Sequence, residues 1–347
     1  MVDMSPYLSF VVAARNDNYG GDFLRRIQMF SICLIELLLR YDCSAELIIV
    51  EWNPPPDRPR LTEAIRWPES LGRATVRVLT VPADVHRRLP NSDRMPMFEY
   101  FAKNVGIRRA RGKFVLTTNP DLLYTPALIA YLAAEKLSPE CYYRVDRHDF
   151  DGSVPEELAA ERALGYAKRR IFRINFRQRG QLGRLSVEVS RWRRLYYLLS
   201  EAWPGSYQGY EEEANGSEPV ILLDDDNGAY GGIYTNAAGD FLLASKDSWT
   251  AVRGFPEFPD TFLHLDGYAC HQLRAIGLRQ AVFRPPCMIL HADHGRTDRA
   301  TRPSPPQSKW MEDLRKIRDG SMGPALNGPS WGLVDDIFEE SVIGSGA

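Results

Sequence analysis

Short, continuously apolar segments alternate with segments of helical periodicity over the first 145 residues. The apolar runs LSFVVAA at 8–14, LIIVE at 47–51 and FVLTT at 114–118 are separated by helical patterns such as that of 23–40. Strands that are apolar throughout, rather than at alternate positions, are typical of a parallel sheet covered on both faces by helices. The sequence therefore predicts an α/β fold with a Rossmann-like, mostly parallel central sheet.

The chain divides into four segments by composition. Residues 1–150 form the alternating α/β unit, and 151–235 are polar, arginine-rich and weakly periodic, which indicates an insertion or lid. Regular patterns return in 236–300, and 301–347 form a C-terminal helix and tail. Strands are expected at 240–244, 280–284 and 288–291, and helices at 246–252, 261–276 and 309–318.

Composition excludes several classes of protein. The 43 basic and 45 acidic residues nearly cancel, which argues against a globally basic nucleic-acid protein. Five cysteines without C-x-x-C spacing argue against a disulfide framework and favour a reducing compartment. The N-terminus has no basic region ahead of its apolar run, and no apolar stretch reaches about 18 residues, so a cytoplasmic protein is predicted.

Polar residues follow three neighbouring predicted strands. Asn16 and Asp17 follow the first, Glu51 ends the second, and Asn119 and Asp121 follow the third. Carboxyl ends of parallel strands meet at one edge of a sheet, so these groups should line a crevice suited to a nucleotide and a divalent cation. Asn and Asp are also ordinary loop residues, and Asn119-Pro120-Asp121 could be a simple turn.

The segment FAKNVGIRRARGKF at 101–114, with the strand and the Asn-Pro-Asp turn after it, resembles a known pattern. It is similar to the nucleotide-sugar half of GT-A glycosyltransferases, especially family two, over residues 7–125. The resemblance implies that Asn16 and Glu51 contact the base and ribose and that Lys103 and Asn104 contact the nucleotide. Asp17 and Asn119 are also expected to bind the nucleotide sugar, and Asp121 would hold a metal that bridges the diphosphate.

Asn119 departs from the family pattern, which has an acid at this position of its metal motif. An amide can donate or accept hydrogen bonds, but it brings no negative charge to a cation. A weaker metal site than usual is therefore expected.

The segment 236–300 resembles the acceptor half of the same enzymes. Gly239-Asp240 opens a strand, Gly254-Phe255 forms a turn, and Asp266 opens a helix. By this resemblance Gly239 and Asp240 contact the sugar or acceptor, and Asp266 is the general base of an inverting transfer. Glu257 and Asp260 compete for that role, and Asp266 could instead be an acid favoured by the helix dipole.

The stretch MILHADH at 288–294 adds two histidines to the end of an apolar strand. In metal-dependent GT-A enzymes a histidine at such a place supplies a ligand, so Asp121, His291 and His294 are the predicted metal ligands. Imidazole suits Mn²⁺ better than Mg²⁺. A zinc site including Cys287 is an alternative that lacks an evident fourth ligand.

Three further features allow two interpretations each. Arg147 could contact the donor sugar or phosphate, or form a structural salt bridge. Trp331 could stack on a sugar, or anchor the tail in the core. The acidic run 224–226 is either a rival metal motif or a solvated turn.

The stretch 168–194 carries ten cationic residues and one acid. Such a density of charge could contact an anionic membrane surface, an acidic acceptor or nucleic acid, or be neutralised within the protein. Peripheral membrane contact through this stretch is one expectation, and nucleic acid is not an expected partner.

Together these features predict a GT-A glycosyltransferase that uses Mn²⁺ or Mg²⁺. The donor would be a UDP- or GDP-linked sugar, and the acceptor a hydroxyl of a glycan, a lipid-linked molecule or another compound. A nucleotidyltransferase, or a degenerate GT-A protein that binds membrane or nucleic acid through its basic insertion, is the alternative.

Overall fold

The computed structural model describes residues 5–151, 159–175, 186–188, 219–223, 233–260, 264–295 and 307–344. The helices are α1 Phe23–Arg40, α2 Leu61–Ala64, α3 Ala83–Arg87, α4 Glu99–Arg109, α5 Pro126–Ala133, α6 Ala160–Lys168, α7 Lys246–Val252, α8 Leu265–Ala275 and α9 Gln307–Arg318. The strands are β1 Leu8–Ala14, β2 Ala45–Trp52, β3 Thr75–Val81, β4 Phe114–Thr118, β5 Leu122–Tyr124, β6 Cys141–Val145, β7 Arg147–Phe150, β8 Ile171–Asn175, β9 Ser186–Glu188, β10 Val220–Leu223, β11 Phe241–Ser245, β12 Arg279–Phe283, β13 Ile289–Ala292 and β14 Glu339–Ile343.

A nine-stranded sheet forms the centre of the fold, in the order β10-β12-β6-β11-β4-β1-β2-β3-β14. Strands β1, β2, β3, β4, β6 and β12 run in one direction, and β10, β11 and β14 run opposite to them. Hydrophobic clusters cover both faces of this sheet, packed beneath helices such as α1 and α4. The predicted α/β fold with a mostly parallel central sheet flanked by helices is confirmed.

Strand β11 matters most for the position of the site. It pairs antiparallel with β4, so its first residue, Phe241, lies opposite Thr118, the last residue of β4. The residues that follow β4 and those that precede β11 therefore share one edge of the sheet. This edge is the carboxyl edge of β1 and β2 as well, because both run parallel to β4.

A second, five-stranded sheet has the order β5-β13-β7-β8-β9. The chain passes from the first sheet to the second at Asp146, the one residue between β6 and β7. In register across this sheet, His291 of β13 lies beside Asp149 of β7, which in turn lies beside Arg173 of β8. The sequence patterns did not predict this sheet.

The start of the segment 151–235 is part of the main fold. Helix α6 packs on α1, where the backbone N–H of Ala160 donates to Glu36 and Arg40 pairs with Glu161 at 2.9 Å. Strand β8 then joins the second sheet. The remainder of the predicted arginine-rich insertion lies outside the described residues, apart from 186–188 and 219–223.

Within the described residues, no helix has both the length and the apolar character that crossing a membrane requires. All five cysteines are buried and free.

Candidate metal centre and nucleotide crevice

Strand pairing brings Asp121 together with His291 and His294. The antiparallel pair β5 and β13 places Asp121, just before β5, beside the end of β13, and the N–H of Ala292 donates to the Asp121 carbonyl at 3.0 Å. The Nε2 atoms of His294 and His291 lie 3.1 and 3.7 Å from Oδ2 of Asp121. One potential ligand atom from each residue falls within 4.8 Å of those of the others. These are the three residues that the sequence predicted as metal ligands.

Both imidazoles turn their Nε2 atoms toward Asp121 because their Nδ1 atoms are occupied. Nδ1 of His291 lies 3.0 Å from Oδ1 of Asp149, and Nδ1 of His294 lies 3.0 Å from the carbonyl oxygen of Gly295. Since both partners are acceptors, each Nδ1 is placed to donate its proton to them, and each Nε2 is left as the nitrogen that a cation could take in place of a proton. This is the arrangement found in histidines that bind metals through Nε2.

Asp149 is the buried carboxylate behind His291. Its second oxygen accepts hydrogen bonds from Arg173 and, at 2.8 Å, from Asn175, while Nε of Arg147 lies 2.9 Å from Oδ1. Burial alone would raise the pKa of Asp149, but His291, Arg147 and Arg173 hold it well below its usual range. Asp149 therefore stays ionised and keeps the His291 ring oriented.

Asp121 has one carboxylate oxygen without a partner. Its Oδ1 is buried and accepts no hydrogen bond, whereas Oδ2 faces the histidines. Burial would raise the pKa of Asp121, but His291, His294 and Arg26 lower it to about 2. An ionised, buried and partly unsatisfied carboxylate is costly unless a cation compensates it. Two imidazole nitrogens and this carboxylate form a donor set that fits a divalent transition metal.

Asn119 lies in a hydrogen-bond network beside the cluster. Its Oδ1 accepts from Nζ of Lys103 at 2.8 Å, and its Nδ2 donates to Oδ1 of Asp240 at 2.6 Å. Lys103, fully buried, also donates to Glu99 at 2.7 Å and to the Gly239 carbonyl at 2.8 Å. The three protons of the ammonium group are thus used within the protein. The network ties α4, the end of β4 and the start of β11 together.

Arg147 joins the two sheets. Its guanidinium pairs with Asp149 in the second sheet and with Asp240 at the edge of the first, and its side chain is 12% exposed. Burial would lower the pKa of Arg147, but the two carboxylates raise it above its usual value. Of the two interpretations offered by the sequence, the structural salt bridge is the one that these contacts show.

Asp266 lies at the N-terminus of α8, partly exposed, next to Gly239. Its Oδ2 accepts from the N–H of Gly239 at 2.9 Å, and its Oδ1 accepts from the N–H of Gly267 at 2.9 Å. Because Gly239 directly precedes Asp240, these bonds fix the carboxylate close to the Asp240–Arg147 pair. Of its competitors, Glu257 is half-buried, with a pKa raised by desolvation, and Asp260 is exposed.

The groups predicted to bind the base and ribose lie at the carboxyl ends of β1 and β2. Glu51 accepts from the N–H of Leu61 at 2.8 Å and from Arg60 at 2.7 Å. Nδ2 of Asn16 donates to the Pro59 carbonyl at 3.0 Å. These bonds fasten the β2–α2 loop to the crevice edge. In the β1–α1 loop, Asp17 accepts from Arg15 at 2.6 Å and from the N–H of Tyr19 at 3.1 Å.

Two predicted site residues lie away from the metal cluster. Asn104 is fully buried, and its amide bonds to both the N–H and the carbonyl of Phe255 at 2.8 Å. Trp331 is 3% exposed in a hydrophobic core cluster, with the Arg108 guanidinium 4.8 Å from its ring centre. Trp331 anchors the tail in the core, which is the second of the two roles that the sequence allowed.

The sequence interpretation missed Asp149 and Arg173. The alternating acids and bases at 144–149 indicated that charged groups lie in this region. Only the register of β13, β7 and β8 shows which acid lies behind His291. Cys287 is buried and is not part of the metal cluster among the described residues. The acidic run 224–226 lies outside them.

The known proteins that are similar to this chain come from the solved structures. No family model matches the chain, and no curated protein matches it. Among solved structures, it is similar to the crystal structure of GalNAc-T7 with UDP, GalNAc and Mn²⁺, with a TM-score of 0.46 and 11% sequence identity. The match covers 91% of this chain and 48% of that one, so the chain spans about half the length of this structural neighbour.

Proposed function

We propose that this protein is a metal-dependent glycosyltransferase of the GT-A type, which moves a sugar from a nucleoside diphosphate to a hydroxyl group. The cluster of Asp121, His291 and His294 is the observation that carries the proposal. It lies at the carboxyl edge of a mostly parallel sheet, where nucleotides bind in open α/β folds. The resemblance of 101–121 and 236–300 to GT-A enzymes supports the same assignment.

Asp121, His291 and His294 would hold the metal. A divalent cation there would neutralise the diphosphate as it leaves the sugar. The two imidazole nitrogens favour Mn²⁺ over Mg²⁺, because Mg²⁺ prefers an all-oxygen shell. Asn119 would contribute indirectly, since both ends of its amide are bonded to Lys103 and Asp240.

Asp266 is the proposed general base. The N–H groups of Gly239 and Gly267 fix its carboxylate, and its partial exposure leaves it accessible to an acceptor. It would take the proton from the acceptor hydroxyl as that oxygen attacks the anomeric carbon, which gives inversion. We propose the substrates by chemical class. The donor is a UDP- or GDP-linked sugar, and the acceptor is a glycan or another hydroxyl compound.

To test this proposal, a panel of UDP- and GDP-sugars is incubated with the protein and Mn²⁺, and the release of nucleoside diphosphate is measured. We expect release from at least one donor and its loss on removal of the metal. A nucleotidyltransferase would instead release pyrophosphate from a nucleoside triphosphate. Pyrophosphate release without turnover of any sugar donor would overturn the proposal.

The variant Asp266→Asn tests the base. The amide cannot accept the proton, so transfer should fall by about 10²-fold or more while donor binding is retained. Asp247→Asn is the matched control, because Asp247 is an exposed acid in the first turn of α7, as Asp266 is an acid in the first turn of α8. Unchanged turnover in Asp266→Asn, or an equal loss in both variants, would reject Asp266 as the base.

A further inference from the structure

The loop between β1 and α1 covers one side of His294. The backbone φ is positive at four of its residues: Asn18, 61°; Gly20, 68°; Gly21, 74°; and Asp22, 50°. Glycine adopts this conformation without steric cost, whereas Asn18 and Asp22 adopt it at some cost, which surrounding contacts must offset. The ring of Tyr19 packs edge-on against the His294 ring, with centroids 5.3 Å apart and an interplanar angle of 70°.

Gly20 lies against His294 so closely that no side chain fits between them. A Cβ atom at Gly20 would lie 2.4 Å from Nδ1 of His294 and 2.7 Å from the Gly295 carbonyl oxygen. That nitrogen and that oxygen form the hydrogen bond that turns Nε2 of His294 toward Asp121. The next residue, Gly21, has a similar φ, yet a Cβ atom there would meet nothing within 4 Å.

Arg26, in the second turn of α1, holds this loop in place. It is 5% exposed, and its guanidinium donates to the carbonyls of Tyr19 and Gly21, the residues on either side of Gly20. Two bonds from one rigid planar group fix both flanks of the glycine.

We propose that Gly20 and Arg26 are positioning residues for His294. Gly20 provides the space that lets the His294 ring lie with Nε2 beside Asp121, and Arg26 fixes the loop that bounds this space. Gly20 and the two hydrogen bonds of Arg26 would affect metal binding through the position of His294, without contact with the cation. The inference rests on the proposed metal centre. It adds to that centre a loop that precedes His294 by about 270 residues in the chain.

The test compares Gly20→Ala with Gly21→Ala in titrations of the full-length protein with Mn²⁺, followed by the EPR signal of the free ion. Both variants place an alanine at positive φ and pay the same kind of backbone cost, but only Gly20→Ala displaces His294. We expect Gly20→Ala to weaken Mn²⁺ binding by about 10- to 100-fold, the usual effect of disturbing the surroundings of a ligand. Gly21→Ala should stay within about twofold of wild type.

A double variant separates positioning from general destabilisation. If Gly20→Ala acts through His294, it should have no further effect on Mn²⁺ affinity in a His294→Ala background. If Gly20→Ala does not fold, Arg26→Lys provides a second variant. It keeps the positive charge that acts on Asp121 but loses the paired hydrogen bonds to the carbonyls of Tyr19 and Gly21, so we expect it to weaken Mn²⁺ binding as well.

The possible failures are distinguishable. If wild type itself does not bind Mn²⁺, the metal centre and this inference both fail. If wild type binds Mn²⁺ and either the two alanine variants have equal affinities or the double variant shows additive losses, the inference alone is wrong.

Discussion

At the scale of single residues, buried charges explain the shape of the site. Asp149 is ionised and bonded to four side chains, and it orients one histidine. Asn119, by contrast, is a neutral side chain at a position where an acid would lie within hydrogen-bond distance of Asp240. Like charges that close destabilise a buried site. The amide therefore suits the Asp240–Arg147 pair, which the sequence motif alone could not show.

Asp146, at the crossing between the two sheets, gives a prediction at this scale. Burial raises the pKa of its carboxyl to about 8, against smaller opposing effects of Tyr234 and Arg144. The native protein therefore holds a proton that the unfolded chain releases above its ordinary pKa of 3.8. Stability contributed by this group is present at low pH and is lost as pH rises toward about 8.

Asp146→Asn should remove that pH dependence, since the amide is neutral throughout. We expect wild type to lose stability relative to this variant by up to roughly 1.4 kcal/mol per pH unit between about pH 5 and about pH 7. Urea denaturation at several pH values measures the difference. Asp151→Asn, at an exposed acid nearby, is the control and should parallel wild type. Parallel curves for wild type and Asp146→Asn would disprove the assignment.

At the scale of elements, apolar periodicity predicted the helices and strands that owe their position to hydrophobic packing alone. Strand β1 and helices α1 and α7 have the predicted bounds, because their apolar residues face the sheet or form it. Strand β7, with the sequence RHDF, is not apolar, and its charged residues are buried only because partners come from β13 and β8. Strand β14 is mostly exposed and pairs with β3, about 260 residues earlier in the chain, so its own pattern carries no signal.

Arg77 joins three adjacent strands by ion pairs. On β3 it pairs with Glu46 of β2 at 2.8 Å and with Glu340 of β14 at 2.7 Å, and its side chain is 3% exposed. Removing a buried cation leaves its partner's charge uncompensated. We therefore expect Arg77→Met to lower the free energy of unfolding by about 3–5 kcal/mol.

The partially exposed partner offers a matched comparison. Glu340→Gln leaves the buried Arg77–Glu46 pair intact, so chemical denaturation should show a smaller loss than for Arg77→Met. A loss in Glu340→Gln as large as that in Arg77→Met would show that the Glu46 pair adds no stability.

At the scale of the whole molecule, the site forms where the two sheets meet. Asp240 belongs to the edge of the first sheet, Asp149 and His291 belong to the second, and Arg147 bridges them. The three predicted ligands could be named from local motifs because each lies at or near the end of an apolar strand. Their orientation could not be predicted, since it depends on strand register and on the loop around Gly20, which come from distant parts of the chain.

The central claim is that Asp121, His291 and His294 hold a cation that binds a nucleoside diphosphate. The most direct measurement is the thermal unfolding midpoint with UDP or GDP, each with and without Mn²⁺. Ligand at about 100 times its dissociation constant adds about 2.7 kcal/mol to stability. We therefore expect wild type to gain several degrees with one nucleotide plus Mn²⁺, and much less with that nucleotide alone.

Asp121→Ala should abolish this gain, because it removes the only carboxylate of the cluster. Asp293→Ala is the control, since Asp293 is the exposed acid next to His294 and lies outside the cluster. We predict a shift in wild type and Asp293→Ala and none in Asp121→Ala. A wild-type protein that shows no shift with either nucleotide and Mn²⁺, or an Asp121→Ala variant that keeps the full shift, would contradict the proposed metal and nucleotide site.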